Sequence, residues 1–163
     1  MSIGLAGTEE MYWAVSEFNA CAGIEITASH NPINYNGLKI VKSGSQPLGD
    51  QEDFQAIKAL AENETWVENL SQGSIQDISK EARKKYVQRA LSFLNHSNLK
   101  PLKIVVNSEN GAAGPTFDAI ADELRRIGSP LEFICIHHEP DHTFPNGIPT
   151  PSYQKTMRRP VML

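Results

Sequence analysis

Gly23-Ile-Glu-Ile-Thr-Ala-Ser-His-Asn-Pro32, continued by Asn36-Gly-Leu-Lys-Ile-Val41, is the stretch from which the rest of this chain can be read. Its first half alternates in the manner of a strand, with Ile24 and Ile26 on one face and Glu25 and Thr27 on the other, until Pro32 forbids further regular pairing. Ser29 therefore falls where a strand gives way to a loop. A turn signal at Asn36-Gly37 precedes a second short apolar run, Leu38 to Val41, so the two segments read as a hairpin-like return that carries Lys39 back toward Ser29.

A serine hydroxyl is a weak nucleophile at neutral pH and needs a neighbouring base or an electropositive setting that favours its product. His30 and Lys39 are the candidates for both. A charged Lys39 beside a phosphate would stabilise it, and a desolvated one could exchange a proton with a reacting hydroxyl. The same Thr, Ser, Asn and Pro residues are also ordinary turn formers, so turn chemistry with a solvated histidine remains open on composition alone. Serine hydrolysis by a Ser29–His30 pair is disfavoured, because neighbours in a strand-end loop are expected to point apart and no Gly-x-Ser-x-Gly elbow is present.

Thr27-Ala-Ser-His-Asn-Pro32 with Asn36-Gly-Leu-Lys39 closely resembles the active-site serine loop of the alpha-D-phosphohexomutases, the phosphoglucomutases and phosphomannomutases. Gly4-Leu-Ala-Gly-Thr-Glu-Glu-Met-Tyr12, Val105-Val-Asn-Ser-Glu-Asn-Gly-Ala-Ala-Gly-Pro115 and Phe144-Pro-Asn-Gly-Ile-Pro149 are similar to the same family, in particular to its bacterial phosphomannomutases. The resemblance covers roughly residues 3 to 150. It implies that Ser29 carries a phosphoryl group whose oxygen is one ligand of an essential magnesium ion. It also implies that His30 lines the site and that Lys39 is the general acid or base near the reacting hydroxyl. The partners implied are hexose phosphate and hexose 1,6-bisphosphate, with phosphate moving between C6 and C1 on the way to sugar nucleotides such as GDP-mannose. Phosphoryl transfer needs positioning and charge neutralisation above all, which suits a phosphoserine, a metal and a few cations.

With 163 residues and 40% apolar content the chain can build one ordinary domain or two small ones. A net charge of −4, with acids and bases mixed along the chain, supplies no basic face for a nucleic acid backbone. Its apolar runs all fall short of the roughly 20 residues that cross a bilayer, and the N-terminus has no signal-peptide pattern, so a cytoplasmic protein without a membrane partner is expected. Cys21 and Cys135 lie in or beside apolar segments without metal-type spacing and are expected to be buried, reduced thiols.

Thr8-Glu-Glu reads as a helix start, followed by Met11, Val15 and Phe18 at helical spacing. Phe54, Ile57, Leu60 and Ala61 mark a second helix after a loop from Gly44 to Asp50. The pattern-poor stretch 63–78 reads as a connection, anchored by Trp66. Ser79 opens a third helix with Ala82, Tyr86, Val87, Ala90, Leu91 and Leu94 inward and Arg83, Lys84, Lys85 and Arg89 solvated. A strand from Leu102, a glycine turn at Asn110 to Gly114, a helix from about Pro115 to Arg126 and a strand from Leu131 to His137 form a parallel α/β unit. The expected architecture is thus α/β, with mixed sheets covered by helices: part of a first phosphohexomutase-like domain over residues 1–78 and the start of a second over 79–163. Asn110-Gly-x-x-Gly matches neither a dinucleotide fingerprint nor a Walker loop, so it is read as tight strand-to-helix packing. His137, His138 and His142 fit no standard zinc spacing and are expected to be solvated loop residues.

The family's full-length members have four domains, and their magnesium site is completed by an Asp-Gly-Asp-x-Asp-Arg loop that this sequence does not contain. The last stretch, Ser152 to Leu163, departs from the family pattern. A truncated or frame-shifted gene product, or a partial sequence of a longer protein, is therefore expected, with weak or no mutase activity by itself and a tendency to self-associate through open edges. A non-catalytic sugar-phosphate module of the same fold is the alternative.

Overall fold

The computed structural model describes residues 1–48, 51–64 and 71–148. Trp66, Pro149 and the tail at 152–163, on which part of the sequence reading rests, lie outside them. Helix α1 (Thr8–Glu17) is followed by a three-stranded antiparallel sheet in the order β1 (Ala22–Ile26), β2 (Leu38–Lys42), β3 (Gln46–Pro47). Helix α2 (Gln51–Glu62) and helix α3 (Ser79–Leu91) come next. The chain then runs through β4 (Leu102–Asn107), α4 (Ala113–Arg126) and β5 (Leu131–Ile136), and β4 and β5 pair in parallel with Leu102 opposite Leu131. The architecture is mixed α/β, as the patterning requires.

The β1–β2 register, Glu25 opposite Lys39 and Ile26 opposite Leu38, assigns the two faces of the hairpin. Helix α1 covers the face that carries Gly23, Glu25, Lys39 and Val41: Met11, Val15 and Val41 form its core, with Ile3, Tyr12 and Ala20 packed around them. Each of those three buried side chains contributes about 1.5–3 kcal/mol of apolar burial. Gly23 is required there, because a Cβ would lie 2.4 Å from a Val15 methyl and 2.7 Å from the Met11 sulfur. Strand β1 alternates as read from the sequence, but the covered face is the one bearing Gly23 and Glu25, and Ile24, Ile26 and Leu38 stand 61%, 74% and 61% exposed.

The second core lies between α3, α4 and the parallel pair, from Val87, Leu91 and Leu124 with Leu99, Ala119, Ile120, Leu131 and Phe133. Residues Ser2 and Asp77 form a parallel bridge, so the N-terminal segment is pinned to the approach to α3. Helices α1 and α3 meet through Trp13, whose ring lies 5.3 Å from that of Tyr86 in an edge-on arrangement, and through Lys85 and Glu17 at 3.2 Å. Helix α2 forms where its periodicity places it, yet none of its residues is buried; Phe54, Ile57 and Leu60 are exposed, and Lys42 ties its first turn to Asp53.

Three expectations are corrected. Cys21 and Cys135 are free, but both are exposed: Cys21 lies in the bend before β1, and Cys135 takes an outward position on β5. Arg83 is not a solvated side chain: it turns inward to the buried carboxylate of Glu10 at 3.1 Å. His138 is likewise enclosed, its side chain only 14% exposed.

Candidate functional site

Ser29 sits three residues beyond the end of β1, with φ of 53°. This left-handed conformation is uncommon outside glycine. Local hydrogen bonds hold it there: the Ser29 amide donates to Thr27 Oγ1 at 3.0 Å, and the amide and side chain of Asn31 donate to the Ala28 carbonyl at 3.1 and 2.8 Å. Threonine and asparagine thus act as turn formers, as their chemistry allows, and the turn they build presents an exposed serine hydroxyl at its tip.

His30 is also exposed, and its Nδ1 lies 3.3 Å from Ser29 Oγ. The expectation that these neighbours point apart is overturned. The positive φ at Ser29 folds the chain so that both side chains share one side of the turn. The contact is long for a hydroxyl hydrogen bond, and the loop from Thr27 to Asn36 contains no carboxylate to orient the imidazole.

The antiparallel pairing of β1 and β2 is the hairpin-like return read from the sequence, and its register places Lys39. The Thr27 amide donates to the Gly37 carbonyl at 2.9 Å, so Asn36-Gly37 continues the hairpin ladder and the loop spans the residues before it. Lys39 stands opposite Glu25, and its Nζ donates to Thr8 Oγ1 at 3.1 Å, on the first residue of α1. The structure therefore brings Ser29 and His30 together and holds Lys39 on the neighbouring helix terminus.

Sequence reasoning reads Thr8-Glu-Glu only as a helix start and misses the cluster gathered on Glu10, two residues from the Lys39 partner Thr8. Glu10 is 4% exposed. Its Oε1 accepts from the Gly7 amide at 3.2 Å and from Thr116 Oγ1, and its Oε2 faces Arg83 Nε at 3.1 Å. Arg83 also donates to the Leu5 carbonyl at 2.7 Å. The spacing of Gly7 and Glu10, three apart, is a legible capping signal. Arg83 and Thr116 lie far along the chain from Glu10 and leave no local trace. Nearby, burial and the carboxylates of Glu9 and Glu10 push the Tyr86 phenol above its ordinary value.

A second polar cluster pins the turn after β4. Ser108 Oγ lies 3.2 Å from His138 Nδ1, and His138 Nε2 lies 2.8 Å from Asp118 Oδ1. Asn110 donates to the carbonyl of Glu139 at 2.9 Å and accepts from Asn146 at 2.9 Å. Gly114 is packed so closely that a Cβ would meet the His138 carbonyl oxygen at 2.0 Å. The amides of Asn110 and Gly111 donate to the carbonyls of His137 and Ser108, so they are engaged internally, in line with a packing role.

A divalent cation such as magnesium takes oxygen ligands in near-octahedral geometry. Among the described residues no three His, Cys, Asp or Glu side chains converge to hold a metal. The Ser29 loop offers a hydroxyl, an imidazole and amide groups, and these residues alone do not fit the ion. No helix among the described residues is long and apolar enough to cross a membrane.

Two family models match the sequence: phosphoglucomutase/phosphomannomutase alpha/beta/alpha domain I over residues 1–68 and domain II over residues 84–163. A phosphomannomutase of Salmonella montevideo is 46% identical over 93% of this chain and 33% of its own length. One from Escherichia coli K12 is 43% identical over the same shares. A phosphoglucomutase/phosphomannomutase family protein of Burkholderia thailandensis superimposes with a TM-score of 0.67 at 26% identity, over 84% of this chain and 27% of that one. A Thermus thermophilus protein described as a phosphomannomutase also has a TM-score of 0.67, at 26% identity over 86% and 31%. The chain spans about a third of the length of the curated relatives it matches.

Proposed function

The chain belongs to the phosphoglucomutase/phosphomannomutase family, and on that premise we propose that Ser29 is its phosphoryl-carrying residue. The reaction is interconversion of hexose 6-phosphate and hexose 1-phosphate, with mannose as the first choice of sugar and glucose as the alternative, in the cytoplasmic supply of sugar-nucleotide precursors. The observation that supports this reading best is the Ser29 turn: an exposed hydroxyl held at positive φ at the end of β1, with His30 beside it.

In this reading the phosphorylated Ser29 gives its phosphoryl group to a hexose phosphate, the bisphosphate turns around, and its other phosphate returns to Ser29. Metaphosphate-like transfer depends on placing donor and acceptor in line and on stabilising charge. His30 would line the phosphate, and Lys39 would exchange the proton of the sugar hydroxyl. Magnesium would supply further charge neutralisation when bound, with the Ser29 phosphate as one ligand; the residues in hand do not complete its shell. Weak or absent turnover is therefore expected of this chain alone. In the same reading the first domain runs over residues 1–78 and the second starts at residue 79.

Incubation of the 163-residue protein with mannose or glucose 1,6-bisphosphate, followed by tandem mass spectrometry, tests the assignment. One phosphoryl group on Ser29, absent from the Ser29→Ala variant, is the expected result. Phosphate on another residue, or none, would count against it and favour a sugar-phosphate module without chemistry.

A further inference from the structure

Lys39 faces a choice of partners. It stands directly opposite Glu25 in the β1–β2 register, on the face that α1 covers, and such Glu–Lys pairs across antiparallel strands commonly bond to each other. Here, among the described residues, Glu25 Oε2 is buried without a hydrogen-bond partner, and Lys39 Nζ donates instead to the hydroxyl of Thr8. A neutral hydroxyl orients an ammonium without cancelling the charge that a phosphate requires, which an ion pair with Glu25 would do. A lysine left untethered would spread over many rotamers, and ordering it at the moment of reaction would cost side-chain entropy.

Thr8 is itself fixed from further along the chain. It lies in the turn Gly7 to Glu10, and Glu10 is the carboxylate held by Arg83 of α3 and Thr116 of α4. Arg83 also reaches the Leu5 carbonyl, so both sides of the turn are clamped. We propose that Thr8 is a positioning residue for Lys39, and that Arg83 and Thr116, through Glu10, set the place of Thr8 from the second domain. The inference rests on Lys39 acting in proton transfer; the tether itself is a matter of geometry and can be tested apart from that role.

The test uses the 163-residue chain and trace acetylation of lysines, with Lys39 reactivity read by peptide mass spectrometry relative to exposed Lys103. Thr8→Val removes the acceptor at nearly constant volume and should raise relative labelling of Lys39 by about three- to tenfold, the scale of one hydrogen bond. Thr8→Ser keeps the hydroxyl and should restore the original value, a rescue that a purely structural role would not give. Thr8→Ala serves in place of the valine variant if that chain fails to fold, which a thermal melt reveals. Equal Lys39 labelling in the original chain and the variant lacking the hydroxyl, or failure of serine to rescue, overturns the proposal. The same samples, incubated with hexose 1,6-bisphosphate, report phosphate on Ser29. If the original chain takes none, the mutase reading fails while the labelling ratio still decides the tether. If it does, Thr8→Val should slow phosphorylation with little change in the half-saturating bisphosphate concentration.

Discussion

Removing the Glu10 carboxylate is the perturbation whose magnitude can be worked out most fully. Glu10 is 4% exposed and accepts from Gly7 and Thr116 while facing Arg83 at 3.1 Å. Glu10→Ala leaves Arg83 with no carboxylate in a pocket where its side chain is 19% exposed. Breaking a buried ion pair on one side costs about 3–5 kcal/mol. The lower end applies here, because Arg83 keeps the Leu5 carbonyl and some access to water. A loss of about 3 kcal/mol corresponds to a drop of roughly 150-fold in the ratio of folded to unfolded chains, at about 1.36 kcal/mol per tenfold. The assay is urea unfolding followed by tryptophan fluorescence, in a Trp66→Phe background so that Trp13, at the α1–α3 contact, is the probe. Glu10→Ala/Arg83→Met should recover at least half of the loss, because the unpaired charge is gone. A single-variant loss below about 1 kcal/mol, or strict additivity in the double variant, would refute the view that this pair joins the helices.

Stability should be level near neutral pH and fall in acid. Asp77 accepts from the backbone and then the side chain of Ser79, and Asp141 from the side chain and then the backbone of Thr143; both carboxyls lie below their ordinary values. A folded-state value below the unfolded one gives stability that is complete above the ordinary carboxylate range and disappears as pH falls through the folded value. Thermal melts between about pH 7 and pH 3 should show this, and Asp77→Asn should flatten part of the fall; a stability that rises in acid would contradict it. The exposed face of Ile24, Ile26 and Leu38 should drive self-association with rising concentration in sedimentation velocity. Ile26→Lys should shift the chain toward monomer, and a concentration-independent monomer in the original chain would exclude this surface.

The elements are legible because each follows from a local pattern. Helix α1 begins where Thr8-Glu-Glu announces it, α3 begins at Ser79, and β4, α4 and β5 follow the strand, turn, helix, strand order. The Ser29 turn is equally local, built from hydrogen bonds that reach only two or three residues. What local pattern does not carry is which face is covered and who meets whom. The charged neighbours Lys84 and Lys85 assign Arg83 to solvent, yet a carboxylate on α1 draws it inward. The loop composition around His138 gives no sign that Ser108 and Asp118 enclose it from two other parts of the fold. The hairpin-like return is legible in the sequence, but the register that sets Lys39 against Glu25 and Thr8 is not.

The sequence by itself determined the family, the α/β class and the serine loop, because motif residues and periodicity act over a few neighbours and survive without knowledge of the fold. Only the tertiary structure decided that α1 covers the Gly23–Val41 face, that Thr8 receives Lys39, and that Glu10 gathers Arg83 and Thr116. Those contacts satisfy buried charge and hydrogen-bonding groups across separations as long as 106 residues. A buried carboxylate must find its donors wherever the packed elements place them, and no local pattern encodes that address.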